Sequence, residues 1–419
     1  MDVVRSDVTA SEALRLILEA TPALAPETVA FPEALSRVLA EPIVAGRELP
    51  PADNSAMDGY AVRAADLAGA CAQGPVRLHV AFEVAAGAVP TRAVGAGEAA
   101  RILTGAPLPP GADSVVRQED TEREAESVLV RVVPRLRDNV RERGEDVRSG
   151  DRVLEPGTVI GPAEVGMLAA LGRGVVAVRQ RPRVAILSGG DELVEPDGDV
   201  SGGRIVASNS YSIAAQCREV GASPSYLGIA SDDPADLERR FRSGLRADLL
   251  ISSAGVSVGD RDYVRPVLEK FGCELVFWGV KIKPGFPLVF GRVEGGPLVF
   301  GLPGNPVSAM LTFEQFVRPA LLKMTGHRVW FRPLLRATLG ERLQKSAGRL
   351  HFVRVALERK GDQVIARSTG TQSSGALRSM TLATGLLIFP AEQTVLNPGD
   401  SASVQVLDSS FFDSPEPGF

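Results

Sequence analysis

Between Arg181 and Met324, short apolar runs that end in small residues alternate with amphipathic segments of helical length. Val184-Ala185-Ile186-Leu187 stops at Ser188-Gly189-Gly190, and residues 209–220 read as a helix with Gly221 as its C′ stop. Ser225–Ile229 reads as a strand, and Pro234 opens a helix to about Ser243. Ala247–Ser253 is the next strand, and Arg261–Phe271 a helix closed by Gly272. Leu275–Trp278 and Pro297–Phe300 are further strands, and Val307–Met324 is the longest helix. This alternation predicts a doubly wound, mostly parallel α/β sheet. Such a sheet binds ligands in the loops at the carboxyl ends of its strands, so the loops carry the search for function.

At 419 residues the chain is too long for one ordinary core and predicts roughly two to four domains. Thr9 to Glu12 fits a capping box ahead of an apolar helix, and a second helix is expected from Pro32 to about Ala40. Residues 47–150 are rich in Gly, Pro and Ala with β-like runs at 76–84 and 128–133, which predicts a mostly β lobe. Residues 151–180, with a helix at 162–171, are expected to pack with residues 1–46 and so make the lobe an insertion. The α/β unit occupies 181–330, and 331–419 reads as an all-β C-terminal domain with a frayed end.

Bulk properties exclude several classes. No run approaches the roughly 20 apolar residues of a membrane span. The start, Met1-Asp2-Val3-Val4-Arg5, lacks signal-peptide character. Cys71, Cys217 and Cys273 are scattered and odd in number, so a reducing cytoplasm is expected. A net charge of -5 predicts no nucleic-acid partner, and three histidines without HExxH make histidine–zinc hydrolysis a poor reading.

Four loops of the α/β unit carry polar or anion-binding chemistry. They are 188–193 with Ser188 and Gly190, 231–234 with Asp232, 251–263 with Ser253, Gly255, Ser257, Asp260 and Asp262, and 301–308 with Pro303, Asn305, Pro306 and Ser308. Each alone reads as a tight turn, but in a parallel sheet all four converge on one edge. The N–H groups opening the 307–324 helix add a positive dipole end. In Lys281-Ile282-Lys283-Pro284-Gly285, alternation puts both lysines on one face, suited to an oxyanion or phosphates. The lobe carries Asp-Asn-Ser-Ala-Met-Asp-Gly-Tyr-Ala-Val at 53–62, Arg-Ile-Leu-Thr-Gly-Ala-Pro at 101–107 and Arg-Glu-Arg-Gly-Glu-Asp at 141–146. Acids beside glycine suit Mg²⁺, and they equally suit simple turns.

These segments resemble MoeA-type molybdopterin molybdenumtransferases, relatives of the gephyrin E domain and of plant Cnx-type E domains. The resemblance runs from about residue 9 to 408 and rests on DNSAMDGYAV at 53–62, ILTGAP at 102–107, RGED at 143–146, GDEL at 190–193, GVSVGDRDY at 255–263, KPG at 283–285 and GLPGNPVS at 301–308, in that order. It implies a homodimer with four domains per subunit: a MogA-like molybdopterin-binding α/β domain, an inserted β lobe, a helical/β linker domain and a C-terminal β-barrel-like domain. It also implies a Mg²⁺-supported reaction of molybdate with adenylated molybdopterin that inserts molybdenum and releases AMP. Asp58, Thr104, Asp146, Glu192, Asp232 and Asp262 match the family's catalytic polar positions, and Asp58, Glu192, Asp232 and Asp262 its metal-binding carboxylates. Arg141 and Pro284 match substrate-binding positions; Lys281, Lys283, Ser308, Arg349 and Ser373 or Ser374 match the molybdate-holding positions. In such dimers the lobe of one subunit faces the α/β domain of the other. A MogA-type adenylyltransferase and molybdoenzyme maturation proteins are the implied partners. Gly189, Ala254 and Phe286 depart from the pattern, Phe286 standing where many relatives have a third lysine. Rival readings are a non-catalytic scaffold of the same fold, against which the site acids and lysines argue, and a molybdopterin adenylyltransferase, against which the extra domains and DNSAMDGYAV argue.

Overall fold

The computed structural model describes residues 4–253, 264–414 and 416–417. Within them the α/β unit is a seven-stranded sheet in the order Arg5–Val8, Cys273–Val280, Val289–Val293, Leu298–Leu302, Leu249–Ser253, Arg183–Gly189, Ser223–Ala230. All neighbouring pairs are parallel except those of Val289–Val293, which runs against both its neighbours. That strand is absent from the sequence expectation. It is short and begins just after Pro287, and a tight return through Gly295 (φ 68°) leads it into the next strand. One face of the sheet packs on the helices Ala10–Ala20, Ser208–Glu219 and Pro306–Met324, and the other on Pro234–Gly244 and Val264–Lys270. The sheet is therefore doubly wound. Phe277, Phe290 and Phe300 form a chain of rings through its first core, with centroids 5.7 and 5.0 Å apart.

The first twenty residues, grouped by the sequence with 151–180, add an edge strand and a helix to this layer. Val8, Ala13 and Ile17 lie in the α/β core. Thr9 caps the helix through Glu12 N–H (3.2 Å), while the Glu12 carboxylate reaches Arg5 (3.0 Å) rather than completing a reciprocal box. The long C-terminal helix is interrupted by a π-turn at Phe313–Val317. Pro319 lacks the N–H that an α-helix would direct to the Gln315 carbonyl, and the wider turn falls just before it.

The helix expected from Pro32 to about Ala40 does not form. A 3₁₀ turn covers only Phe31–Ala34, Ser36 adopts φ 62°, and the chain then runs extended. Leu39 N–H donates to Thr158 O (2.9 Å) and Arg179 N–H to Val38 O (2.8 Å), so non-local backbone bonds outcompete local helical ones. Pro26–Ala30 pairs with Val175–Arg179, and Ile43–Val44 with Arg152–Leu154. Leu39, Ile43, Ile160, Leu168 and Val178 share a core there, so 26–45 and 151–179 build one unit around the chain that leaves and returns. Between them lies a lobe with a six-stranded sheet, Ser114–Arg117, Gly59–Val62, Glu98–Ile102, Val76–Val84, Ser127–Val130, Thr121–Glu124.

The C-terminal strands Leu350–Lys360, Gln363–Ser368, Leu334–Leu339, Ser401–Val406 and Gly385–Phe389 pair in that order, and the last pairs back with the first to close a barrel. Ile282–Lys283, just past the α/β strand Cys273–Val280, joins the barrel by pairing in parallel with Leu350–His351. Among the described residues no helix is long and apolar enough to cross a membrane.

Phe300 is fully buried between Phe290 and the helical layer. Phe300→Ala should cost about 3–5 kcal/mol in urea unfolding. A loss below about 1 kcal/mol would mean that the ring chain does not organise this core.

Candidate active site

The barrel–sheet junction opens a cleft of about 550 Å³ lined by four segments: Ile282 to Pro287, Asn305 and Ser308, Arg349, and Gln372 to Ser374. The parallel pair sets one wall. Ile282 is buried in the α/β core, so strand alternation turns the Lys281 and Lys283 side chains outward, and both are exposed. Lys281 is tied down by its backbone, donating to Val8 O (2.8 Å) and accepting from Leu350 N–H (3.0 Å), but it stops short of the cleft lining. Gly285 adopts φ 107°, and a Cβ there would lie 2.5 Å from Thr312 Cγ2, so only glycine lets this wall approach the helix. Phe286 packs edge-on against Trp278 (5.6 Å), so it presents a ring where a third lysine would add charge.

Asn305 precedes the helix Pro306–Thr312 and its side chain caps nothing. Ser374 O accepts from Val307 N–H (3.1 Å), so the barrel supplies the missing cap and the two domains meet at the helix start. Asn209 fixes the same loop through Gly304 O (2.7 Å). Behind Ser373, Arg354 is fully buried, a lone guanidinium in the apolar run Phe352-Val353-Arg354-Val355. His351, 6% exposed, has neither ring nitrogen hydrogen-bonded. Burial, then Lys283, Arg354, Lys345 and Arg349, push its imidazole down to about 4. The junction is therefore strongly electropositive.

The loops at the sheet edge converge as expected for three of the four. Gly190 N–H donates to Ala230 O (3.1 Å), and the Asp191 carboxylate accepts from Asp232 N–H (3.1 Å). Glu192 and Asp232 are both exposed on these adjoining loops. Gly190 (φ 135°) lies under the Glu192 carboxylate, where a Cβ would come within 2.5 Å of an oxygen. Asp233 and Asp236 do structural work, the first capping the helix Pro234–Gly244, the second held by Ser231, Arg239 and Arg240. Ser188 is buried with its hydroxyl on Ser210 (2.5 Å), and Ser253 is buried at its strand end, so neither hydroxyl opens to solvent. Pro303 and Pro306 frame the loop but do not line the cleft. Gly189 ends its strand with open space where a Cβ would stand. Ala254, Gly255, Ser257, Asp260 and Asp262 lie outside the described residues.

The lobe gathers its own group. Ser55 N–H donates to Ala106 O (2.9 Å), Leu108 N–H to Asp53 O (2.9 Å), and Asn54–Ser55 pairs with Val140–Arg141, which binds the three motif segments together. Asp53 is the clamp: its carboxylate accepts from Arg143 N–H (2.8 Å) and Arg137 (2.6 Å), and these bonds hold it below the usual carboxylate range. Asp58 is exposed, and its Oδ1 accepts both the backbone N–H and the hydroxyl of Thr104 (2.7 Å each). Those donors, the N–H first, lower its pKa, so it stays ionised at neutral pH. Asp146 and Arg141 are exposed on the neighbouring loop. Among the described residues no three or more His, Cys, Asp or Glu side chains are grouped to hold a metal.

Asp191, His351 and Arg354 are not among the residues that the motifs single out. A charge inside an apolar run was the available signal for Arg354; His351 offered none, because its surroundings come from other segments. Since the folded protein keeps His351 neutral to about 4 while an unfolded chain protonates near 6.5, the unfolded state binds more protons between these values. Stability should therefore fall as pH drops through that window, by on the order of 2–3 kcal/mol. His351→Gln should flatten the acid limb of urea-unfolding free energy against pH; an unchanged slope would rule the residue out as its source.

Residues 8–172 match the MoeA N-terminal region (domain I and II), 185–323 the "Probable molybdopterin binding domain" and 336–407 the MoeA C-terminal region (domain IV). A molybdopterin molybdenumtransferase of a Nostoc species is 37% identical over 379 residues, covering 88% of this chain and 86% of that one. Molybdopterin molybdenumtransferase 2 of Mycobacterium tuberculosis is 38% identical over 399 residues, covering 93% and 97%. The crystal structure of a molybdopterin biosynthesis MoeA protein from Pyrococcus horikoshii superposes with a TM-score of 0.82 at 32% identity, covering 96% of this chain and 99% of that one. With the junction cleft, the converging edge loops and the Asp58–Thr104 pair arranged over the same span, the chain belongs to the MoeA family of molybdopterin molybdenumtransferases.

Proposed function

We propose that this chain is a transferase of molybdenum cofactor biosynthesis that takes molybdate and adenylated molybdopterin, places molybdenum in the dithiolene and releases AMP. The observation that carries this reading is the junction cleft, where Lys283, Arg349, Ser308, Ser373 and Ser374 come from four separated segments to line one opening. Two cations and three hydroxyls suit a tetrahedral dianion, because charge-assisted bonds can reach it from several sides. Phe286 adds an apolar wall to the same opening.

The pterin nucleotide is assigned to the sheet-edge loops. There the positive dipole end of the helix that opens at Pro306 favours phosphate oxygens. Glu192 and Asp232 are hard oxygen donors on adjoining loops, and Mg²⁺ usually takes only one or two carboxylates beside substrate phosphates, so the donor set fits that ion. Glu192 and Asp232, with Asp262 and with Asp58 from a second subunit, would hold it. When bound, Mg²⁺ neutralises charge on the phosphoanhydride that is cleaved. Asp58 is kept ionised by Thr104, and Arg141 and Asp146 are exposed on the same lobe. In a homodimer the lobe of one subunit faces the sheet edge of the other, which would complete the site. An adenylyltransferase of the MogA type would supply the substrate, and molybdoenzyme maturation proteins would receive the product.

Single-turnover mixing of the protein with adenylated molybdopterin, Mg²⁺ and varied molybdate should give AMP release that saturates with molybdate. Lys283→Ala should raise the half-saturating molybdate concentration about tenfold or more, the scale of one charge-assisted contact. Asp58→Asn should lower the limiting rate by about 100-fold while thermal stability stays close to the parent's. AMP release indifferent to molybdate in folded protein would exclude the reaction.

A further inference from the structure

Arg354 is spent on the loop that carries Ser373 and Ser374. Its Nη2 donates to Thr371 O (3.2 Å) and Ser373 O (3.0 Å), and its Nε donates to Ser379 Oγ (3.0 Å). The Gln372 side chain docks on the Arg354 backbone, accepting from its N–H (3.0 Å) and donating to its O (3.1 Å). Yet Nη1 is buried without a partner. A buried cation with an unsatisfied donor is a poor device for stability alone, since an apolar side chain of similar volume usually serves as well or better.

The geometry of a planar trans peptide supplies the rest. Carbonyl and following N–H point in opposite directions, so drawing the 371 and 373 carbonyls inward turns the N–H groups of Gln372 and Ser374 away from the guanidinium. Arg354 is fully buried, whereas Gln372 and Ser374 line the cleft, so outward is toward the cleft. Among the described residues neither N–H has an intramolecular acceptor. We propose that Arg354 is a positioning residue of the oxyanion subsite, aiming the backbone N–H groups of Gln372 and Ser374 at the bound dianion. This rests on the reading of the cleft as an oxyanion site. It explains how a loop of small polar residues holds a fixed donor array: Nη2 draws in both carbonyls while Nε is anchored on Ser379 Oγ, and the planar guanidinium fixes the direction of those bonds where a freely rotating lysine ammonium would not.

The test uses the full-length protein with molybdate as probe. Calorimetry should show Arg354→Lys binding molybdate about tenfold more weakly or worse, while affinity for adenylated molybdopterin stays within about twofold. A purely structural role would weaken both ligands together or neither. Ser379→Ala keeps the guanidinium but frees its Nε corner, and should give a smaller loss of molybdate affinity in the same direction even if the Arg354 variant fails to fold. In protein with selectively ¹⁵N-labelled Ser and Gln, the Ser374 and Gln372 amide resonances should shift on molybdate addition. Unchanged molybdate affinity in the folded variants, or unmoved amides, would overturn the assignment of Arg354. Absence of molybdate binding by the unsubstituted protein would instead overturn the cleft reading, and this proposal with it.

Discussion

Two residue pairs join the α/β sheet to the barrel: Ile282 opposite Leu350 and Lys283 opposite His351. Everything at the cleft depends on this short parallel ladder. It buries Ile282 in the sheet's core, exposes Lys283 next to Arg349, and brings the 371–374 loop against the start of the Pro306 helix. Gly285 is then forced, because the wall that follows the ladder passes too close to Thr312 for any Cβ. A ladder this short gains little by itself. The inter-domain bond from Val307 N–H to Ser374 O and the burial of Phe352 and Leu386 in the α/β core hold it in register.

The carboxylates divide by what surrounds them. Asp53 and Asp58 stand five residues apart in one motif. Two arginines consume Asp53, which ties three loops into a platform, whereas Asp58 is exposed and held only through Oδ1 by Thr104. The sheet edge repeats this division. Asp233 and Asp236 cap and brace a helix while Asp232 stays exposed beside the Asp191 carboxylate. In both places a structural acid fixes the backbone from which a free acid projects, an economical way to hold a negative charge ready for a cationic or metal-bound substrate.

Much of this was legible in the residues. Strand–helix alternation from Arg181 announced the doubly wound sheet, because buried parallel strands and amphipathic helices have distinct periods. The family resemblance groups Lys281, Lys283, Ser308, Arg349 and Ser373 or Ser374, and all but Lys281 line one cleft. The misreadings have physical causes. Pro32 looked like a helix start, but the backbone beyond it bonds to strands more than a hundred residues away. Ser188 looked like a binding hydroxyl and is instead the buried partner of Ser210. Arg354 and His351 went unread because burial and electrostatic surroundings are tertiary properties: the charges that depress His351 come from Lys283 and Lys345 as well as from its own strand.

The proposed chemistry stands on the oxyanion sitting in the sheet–barrel cleft. Diffraction from crystals soaked in tungstate tests it most directly, since the metal's anomalous signal locates the ion without assumption. A peak is expected between Lys283, Arg349, Ser308 and the Ser373–Ser374 turn. A peak elsewhere on the protein, with this cleft empty under conditions where binding is measurable in solution, would contradict it.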